Sequence, residues 1–198
     1  MSRLTASLLR GPINVLWAFR RDRRGVSAVE FALIAPFMIM TYFGLAELAQ
    51  GMMAQRRVSH AASAIGDLVA QTDTLTNNGK DDVFAAATNI VAPFSTTTLK
   101  LRVTSITGNA SGNPRVDWSD GMAGLAAYAH CATVPGLPTG LVSAAGENVI
   151  MAEATYSYSS PVAQVLPNGL SFSEKFYLRP RKVSKVSRTG ETTTACTT

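Results

Sequence analysis

Few residues in this 198-residue chain have types and spacing that could do chemistry. His130 and Cys131 are adjacent, and a thiol beside an imidazole is the composition of a nucleophilic pair. Neighbouring residues on a strand point to opposite faces, and no carboxylate lies close in sequence to orient the ring. A structural cysteine next to a surface histidine is the better reading. The second cysteine, Cys196, is remote from Cys131 and makes no CxxC spacing. If this part of the chain lies outside the cytoplasm, Cys131 and Cys196 could form a disulfide tying the C-terminal tail down; otherwise they are two free thiols. His60 and His130 are the only histidines, which leaves no basis for a zinc site, and no other metal or cofactor is expected. There is no Gly-x-Ser-x-Gly elbow and no phosphate-cradling glycine loop, so neither an enzyme nor a small-molecule substrate is expected.

One residue stands out by its surroundings. Glu30 is set in the string Arg23-Arg24-Gly25-Val26-Ser27-Ala28-Val29-Glu30-Phe31, at the fifth position of an apolar run. A carboxylate inside a membrane segment costs roughly 3 kcal/mol, and its default meaning is functional. Gly25 precedes the run, where a residue without a Cβ gives a protease an extended, uncrowded backbone. Cleavage after Gly25 would give Val26 a free amine, which Glu30 of a neighbouring helix could neutralise in a packed assembly. The bland alternative is a carboxylate resting in the headgroup region, where the helix macrodipole also favours it.

The elements that must position these residues follow from hydropathy and charge. Phe31 to Ala46 contains no charge, and Val26 to Ala46 is 21 residues, about 30 Å of helix, which matches a hydrocarbon core. Arginines precede it (Arg20, Arg21, Arg23 and Arg24 nearest), which predicts a single-pass orientation with the N-terminus inside. The net charge is +5, but six of the 18 basic residues and one of the 13 acidic ones precede Val26, leaving twelve of each. The basicity thus belongs to a leader, and nucleic acid is not an expected partner. Beyond Glu47, which reads as a solvated interfacial carboxylate, Val58, Ala61, Ala62, Ile65, Leu68 and Val69 keep helical spacing. One helix is predicted from Val26 to about Gln71, with an amphipathic second half. A turn over Thr72 to Lys80 and a second helix from Asp81 or Asp82 to Pro93 come next. From Thr96 the period is two, giving a strand through Leu99, Leu101 and Val103, a returning strand at Arg115–Trp118, a strand at Asn148–Tyr158 and one through Phe172, Phe176 and Leu178. Gly121–Gly146 resists assignment. Trp118, Tyr156, Tyr158, Phe172 and Phe176 read as core, and Lys175, Arg179, Arg181, Lys182, Lys185 and Arg188 as a hydrated basic patch. The fold class is α+β. It divides into a leader at 1–25, a transmembrane helix at 26–47, its amphipathic extension at 48–71, an outer domain with an antiparallel sheet at 72–182 and a flexible tail at 183–198.

The string Arg24-Gly25-Val-Ser-Ala-Val-Glu30-Phe-Ala-Leu-Ile-Ala-Pro36, and the chain from Arg24 to about Gly66, resembles the TadE/TadG-like family, pilin-like assembly proteins of the Flp, or tight-adherence, pilus system. The resemblance implies a prepilin-type leader cut between Gly25 and Val26 by a membrane peptidase, with Glu30 as the pilin-motif glutamate. It further implies other pilins, the inner-membrane assembly platform, the prepilin peptidase and the lipid bilayer as partners. The implied setting is a bacterial inner membrane with the C-terminal domain periplasmic or extracellular. Phe31 stands where the major Flp pilins usually have tyrosine, and those pilins are far shorter, which favours a minor pseudopilin serving pilus biogenesis, adhesion or secretion. Two alternatives remain: an uncleaved signal-anchored protein whose outer domain is a binding module, and a secreted protein cut near Gly44-Leu45-Ala46.

Overall fold

The structure, a computed structural model, describes residues 25–159, 169–191 and 194–196. The leader arginines Arg20, Arg21, Arg23 and Arg24 lie outside these residues. The elements in order are α1 (Val26–Ala70), β1 (Thr74–Leu75), α2 (Asn77–Val91), β2 (Lys100–Gly108), β3 (Pro114–Met122), β4 (Asn148–Tyr158), β5 (Leu170–Leu178) and β6 (Ser187–Arg188). The chain divides into two compact units between Ala46 and Glu47. The amphipathic half of α1 therefore belongs to the folded domain.

A four-stranded antiparallel sheet in the order β3-β2-β4-β5 forms the centre of that domain. Strand alternation sends Leu101, Val103, Ile150, Ala152, Ala154, Tyr156 and Tyr158 to one face, where they meet Ala54, Val58, Ala61, Ala62, Ile65 and Val69 of α1 and Val83, Phe84, Ala87 and Val91 of α2. Each larger side chain buried this way stabilises by about 1.5–3 kcal/mol. The small residues of α1 let helix and sheet approach. A Cβ on Gly51 would sit 2.9 Å from Leu170 Cδ1, and one on Gly66 would sit 2.6 Å from Leu178 Cδ1 and 3.1 Å from the Ala152 Cβ. Val149 and Met151 take the opposite face with Ile106 and Val142, under the long connection from β3 to β4. Val149 and Met151 thus lie on one side and Tyr156 and Tyr158 on the other, because β4 is buried on both faces.

Other expectations are corrected by side chains that cap or pair. Helix α2 begins at Asn77 rather than Asp81, because the Thr76 hydroxyl accepts from Gly79 N at 3.0 Å and closes the first turn. Strand β3 runs on to Met122: Thr104 Oγ1 and Ser119 Oγ lie 2.8 Å apart, and Gly121 leaves room for the Leu125 carbonyl, 2.0 Å from where a Cβ would stand. The β2–β3 ladder shifts register between Ser105 and Ile106. There the buried Asn148 amide donates to Ser105 Oγ, Thr107 Oγ1 and the Ile106 carbonyl at 2.7, 2.8 and 3.1 Å. The segment expected as a flexible tail is built into the domain over its described part. β6 pairs in parallel with β1, Val186 is fully buried, and Trp118 Nε1 donates to the Val186 carbonyl at 2.8 Å.

Candidate functional site

Gly25 stands in a turn at the head of α1, and its carbonyl accepts the first helical bond from Val29 N at 3.1 Å. It is exposed, and a Cβ there would meet nothing within 4 Å. Glu30 lies exposed one turn further on. Between them and Ala46 the helix displays its apolar side chains outward: Phe31 is 69% exposed, Leu33 75%, Phe37 72% and Tyr42 70%. The helix is long and apolar enough to cross a membrane, and none of its most apolar stretch is buried. Pro36 is accommodated within the helix. Such a surface requires a cover, either hydrocarbon or other helices, because a monomer does not leave so large an apolar area in water.

Glu47 corrects the sequence reading. It is buried rather than solvated, 3% exposed, and Tyr158 Oη donates to its Oε2 at 3.2 Å. Tyr158 stacks edge-on against Phe94, with ring centroids 6.2 Å apart. Burial, and then the bond to Glu47, push the Tyr158 phenol above its ordinary pKa. Nothing local signals this pairing, since the partners are 111 residues apart. Arg57 stays exposed and donates to the Ile90 and Ala92 carbonyls, satisfying the C-terminal end of α2.

The basic patch read from the C-terminal third does not exist as a patch. Lys175 pairs with Glu153 at 3.0 Å, Arg179 with Glu147 at 3.5 Å, Arg181 with Asp67 at 2.5 Å, Lys185 with Asp117 at 2.6 Å and Arg188 with Asp120 at 2.6 Å. Only Lys182 of that set lacks an ion pair among the described residues. Glu153, nearly buried, also binds Arg102 Nε at 2.6 Å; Arg102 in turn holds the Ala126 carbonyl and Tyr128 Oη, each at 2.7 Å, and so fastens the β3–β4 connection to the sheet. The Glu153 bond pushes the Lys175 ammonium up, and the Asp120 bond does the same to Arg188.

Cys131 and Cys196 are joined in a disulfide, with Cα atoms 5.5 Å apart. His130 lies beside them, Nδ1 2.7 Å from the Asp117 carbonyl and Nε2 3.1 Å from the Thr194 carbonyl. Among the described residues this is the one group of three side chains close enough to hold a metal, and its two sulfurs are spent on each other. The histidine and cysteines together fasten the tail to β3.

An N-terminal helix with an outward apolar surface and one carboxylate in its second turn, continued into a small α+β domain, is consistent with a single-pass membrane-anchored protein. Residues 25–66 match the family model described as TadE-like protein. The resemblance read from Arg24 to Gly66 is thus shown over that segment. No curated protein and no solved structure matches the chain.

Proposed function

We propose that this chain is a minor pseudopilin of a Flp pilus: a non-enzymatic subunit, anchored in the inner membrane, that helps to initiate or regulate the fibre through helix-to-helix packing. The observation that carries the reading is the TadE-like match over 25–66 falling on a helix with Gly25 at its head, Glu30 in its second turn and an uncovered apolar surface. After cleavage, the Val26 ammonium and Glu30 of adjacent subunits would neutralise each other in low dielectric, where an unpaired charge is costly. The disulfide supports a domain outside the cytoplasm, since such bonds persist in oxidising compartments. The expected partners are other pilins, the membrane assembly platform and the prepilin peptidase.

The test is the intact mass and N-terminal sequence of the protein made with and without a prepilin peptidase. A peptidase-dependent species beginning at Val26, lost in Gly25→Val, is expected. Because a Cβ at Gly25 touches nothing, that variant keeps the disulfide and the fold of the wild-type domain, which isolates the effect on processing. A chain that stays full length with the peptidase present leaves the signal-anchored binding protein in its place, and cleavage near Ala46 indicates a secreted domain.

A further inference from the structure

The two edges of the central sheet are treated differently. Along β3 the connection to β4 turns back and pairs with the edge: Val116 N donates to the Ala132 carbonyl at 3.0 Å and Cys131 N to the Val116 carbonyl at 2.8 Å, beside the disulfide. Along β5, among the described residues, the nine-residue backbone pairs only with β4. Among the described residues nothing covers this edge, whose outward amides and carbonyls form a row that proteins ordinarily shield. Only an extended backbone complements it.

Helix α1 runs along this edge. Gly51 packs near Leu170 and Gly66 near Leu178, so helix and strand travel in the same direction. Helix residues Arg56, Ser59, His60 and Ser63 fall at i, i+3, i+4 and i+7, and with Glu174 and Phe176 they line an open groove of about 590 Å³ beside the strand. The floor is apolar at Phe176, and the roof carries Arg56, which forms no ion pair among the described residues. A strand added to β5 would send alternate side chains into this groove, between sheet and helix.

We propose that the outer edge of β5 is a strand-addition site for an extended segment of a different polypeptide, carrying a carboxylate on its groove side opposite Arg56. A second copy of β5 is a poorer occupant, because antiparallel pairing centred on the strand sets Glu174 against Glu174, and directly opposed like charges destabilise. The site does not depend on cleavage at Gly25, so the processing assay and the assay below fail independently.

The experiment places a photoreactive phenylalanine analogue at Phe172 or Phe176 in the full-length chain, in cells that assemble the surface structure, with a control at exposed Asn89 on α2. Adducts are mapped to single residues by mass spectrometry. Residues 172 and 176 lie on one face, four apart, so a docked strand gives adducts at two residues four apart in a single segment of one partner. The Arg56→Glu variant lowers the yield at least tenfold, while Arg56→Lys keeps it. Adducts scattered over several segments, equal adducts at Asn89, insensitivity to Arg56→Glu, or a β5-to-β5 adduct between two copies would each overturn the proposal.

Discussion

At the scale of single residues, the informative side chains are carboxylates that a reader of the sequence would leave in water. Glu47, Asp117 and Glu153 are each less than 10% exposed, and each meets a donor that lies far away in sequence. Removing one partner of such a pair leaves a buried acceptor unsatisfied, which costs about 1–3 kcal/mol. The Tyr158→Phe variant is therefore expected to lower the unfolding free energy of the detergent-solubilised chain by about that amount, read from urea titration. Glu147 acts differently because it is only half-buried. Its carboxylate accepts from Ser143 N at 2.8 Å and Ala144 N at 3.2 Å, and these two backbone bonds hold its pKa below the ordinary value. A depressed carboxylate contributes stability above its unfolded pKa and loses it as pH falls through the folded one. Amide exchange at Ser143 and Ala144, corrected for intrinsic rates, should accelerate on acidification below the ordinary carboxylate range, and Glu147→Gln should abolish that extra dependence. Glu30 was legible because its oddity is local, a charge within an apolar run. Glu47 was not, because its burial depends on Tyr158 and the packing of β4.

At the scale of elements, periodicity identified α1 and the four long strands, since each has one face or run that must be buried. It misplaced the start of α2, where one threonine cap outweighs the poor helix propensity of Asn77-Asn78-Gly79. It gave no purchase on Gly121–Gly146, a connection with glycines at positive φ that is held by Arg102 and by the cluster around Val142 and carries no repeat of its own. Gly51 and Gly66 were legible only as members of a helix, although their job is to admit β5. A substitution of Gly66 by valine should destabilise the domain by about 1–3 kcal/mol through overpacking against Leu178 and Ala152, despite valine's better helix propensity. A control at exposed Gln71 should change little. The sequence left two readings of the cysteines open, and the closeness of Cys131 to Cys196 follows from the tail crossing β3. The bridge closes a loop of 65 residues, for which chain entropy gives about 4 kcal/mol. The Cys131→Ser, Cys196→Ser pair should lose stability on that order, with the tail after Arg188 becoming sensitive to protease.

For the whole molecule, the boundary drawn from hydropathy and the boundary drawn from packing fall at different places, and the difference can be tested. Hydropathy separates a membrane segment, an amphipathic extension over 48–71 and an outer domain from Thr72. Packing divides the chain between Ala46 and Glu47, because Ala54, Val58, Ala61, Ala62, Ile65 and Val69 supply the helical layer over the sheet. Without that layer the sheet keeps one apolar face in water, and a sheet needs a second layer to bury it. The residues of that face, among them Leu101, Val103, Ile150 and Tyr156, are each worth about 1.5–3 kcal/mol when covered, and losing their cover removes a stabilisation as large as the roughly 5–15 kcal/mol stability of an ordinary domain. A fragment beginning at Glu47 should thus fold without detergent, form the Cys131–Cys196 bridge under oxidising conditions and melt in one cooperative transition. A fragment beginning at Thr72 should remain unfolded or aggregate, with Trp118 fluorescence at the wavelength of a hydrated indole. The two are compared by circular dichroism and thiol titration. If the shorter fragment also folded cooperatively with its disulfide closed, the helix would be a detachable stalk, and the domain would begin where hydropathy puts it.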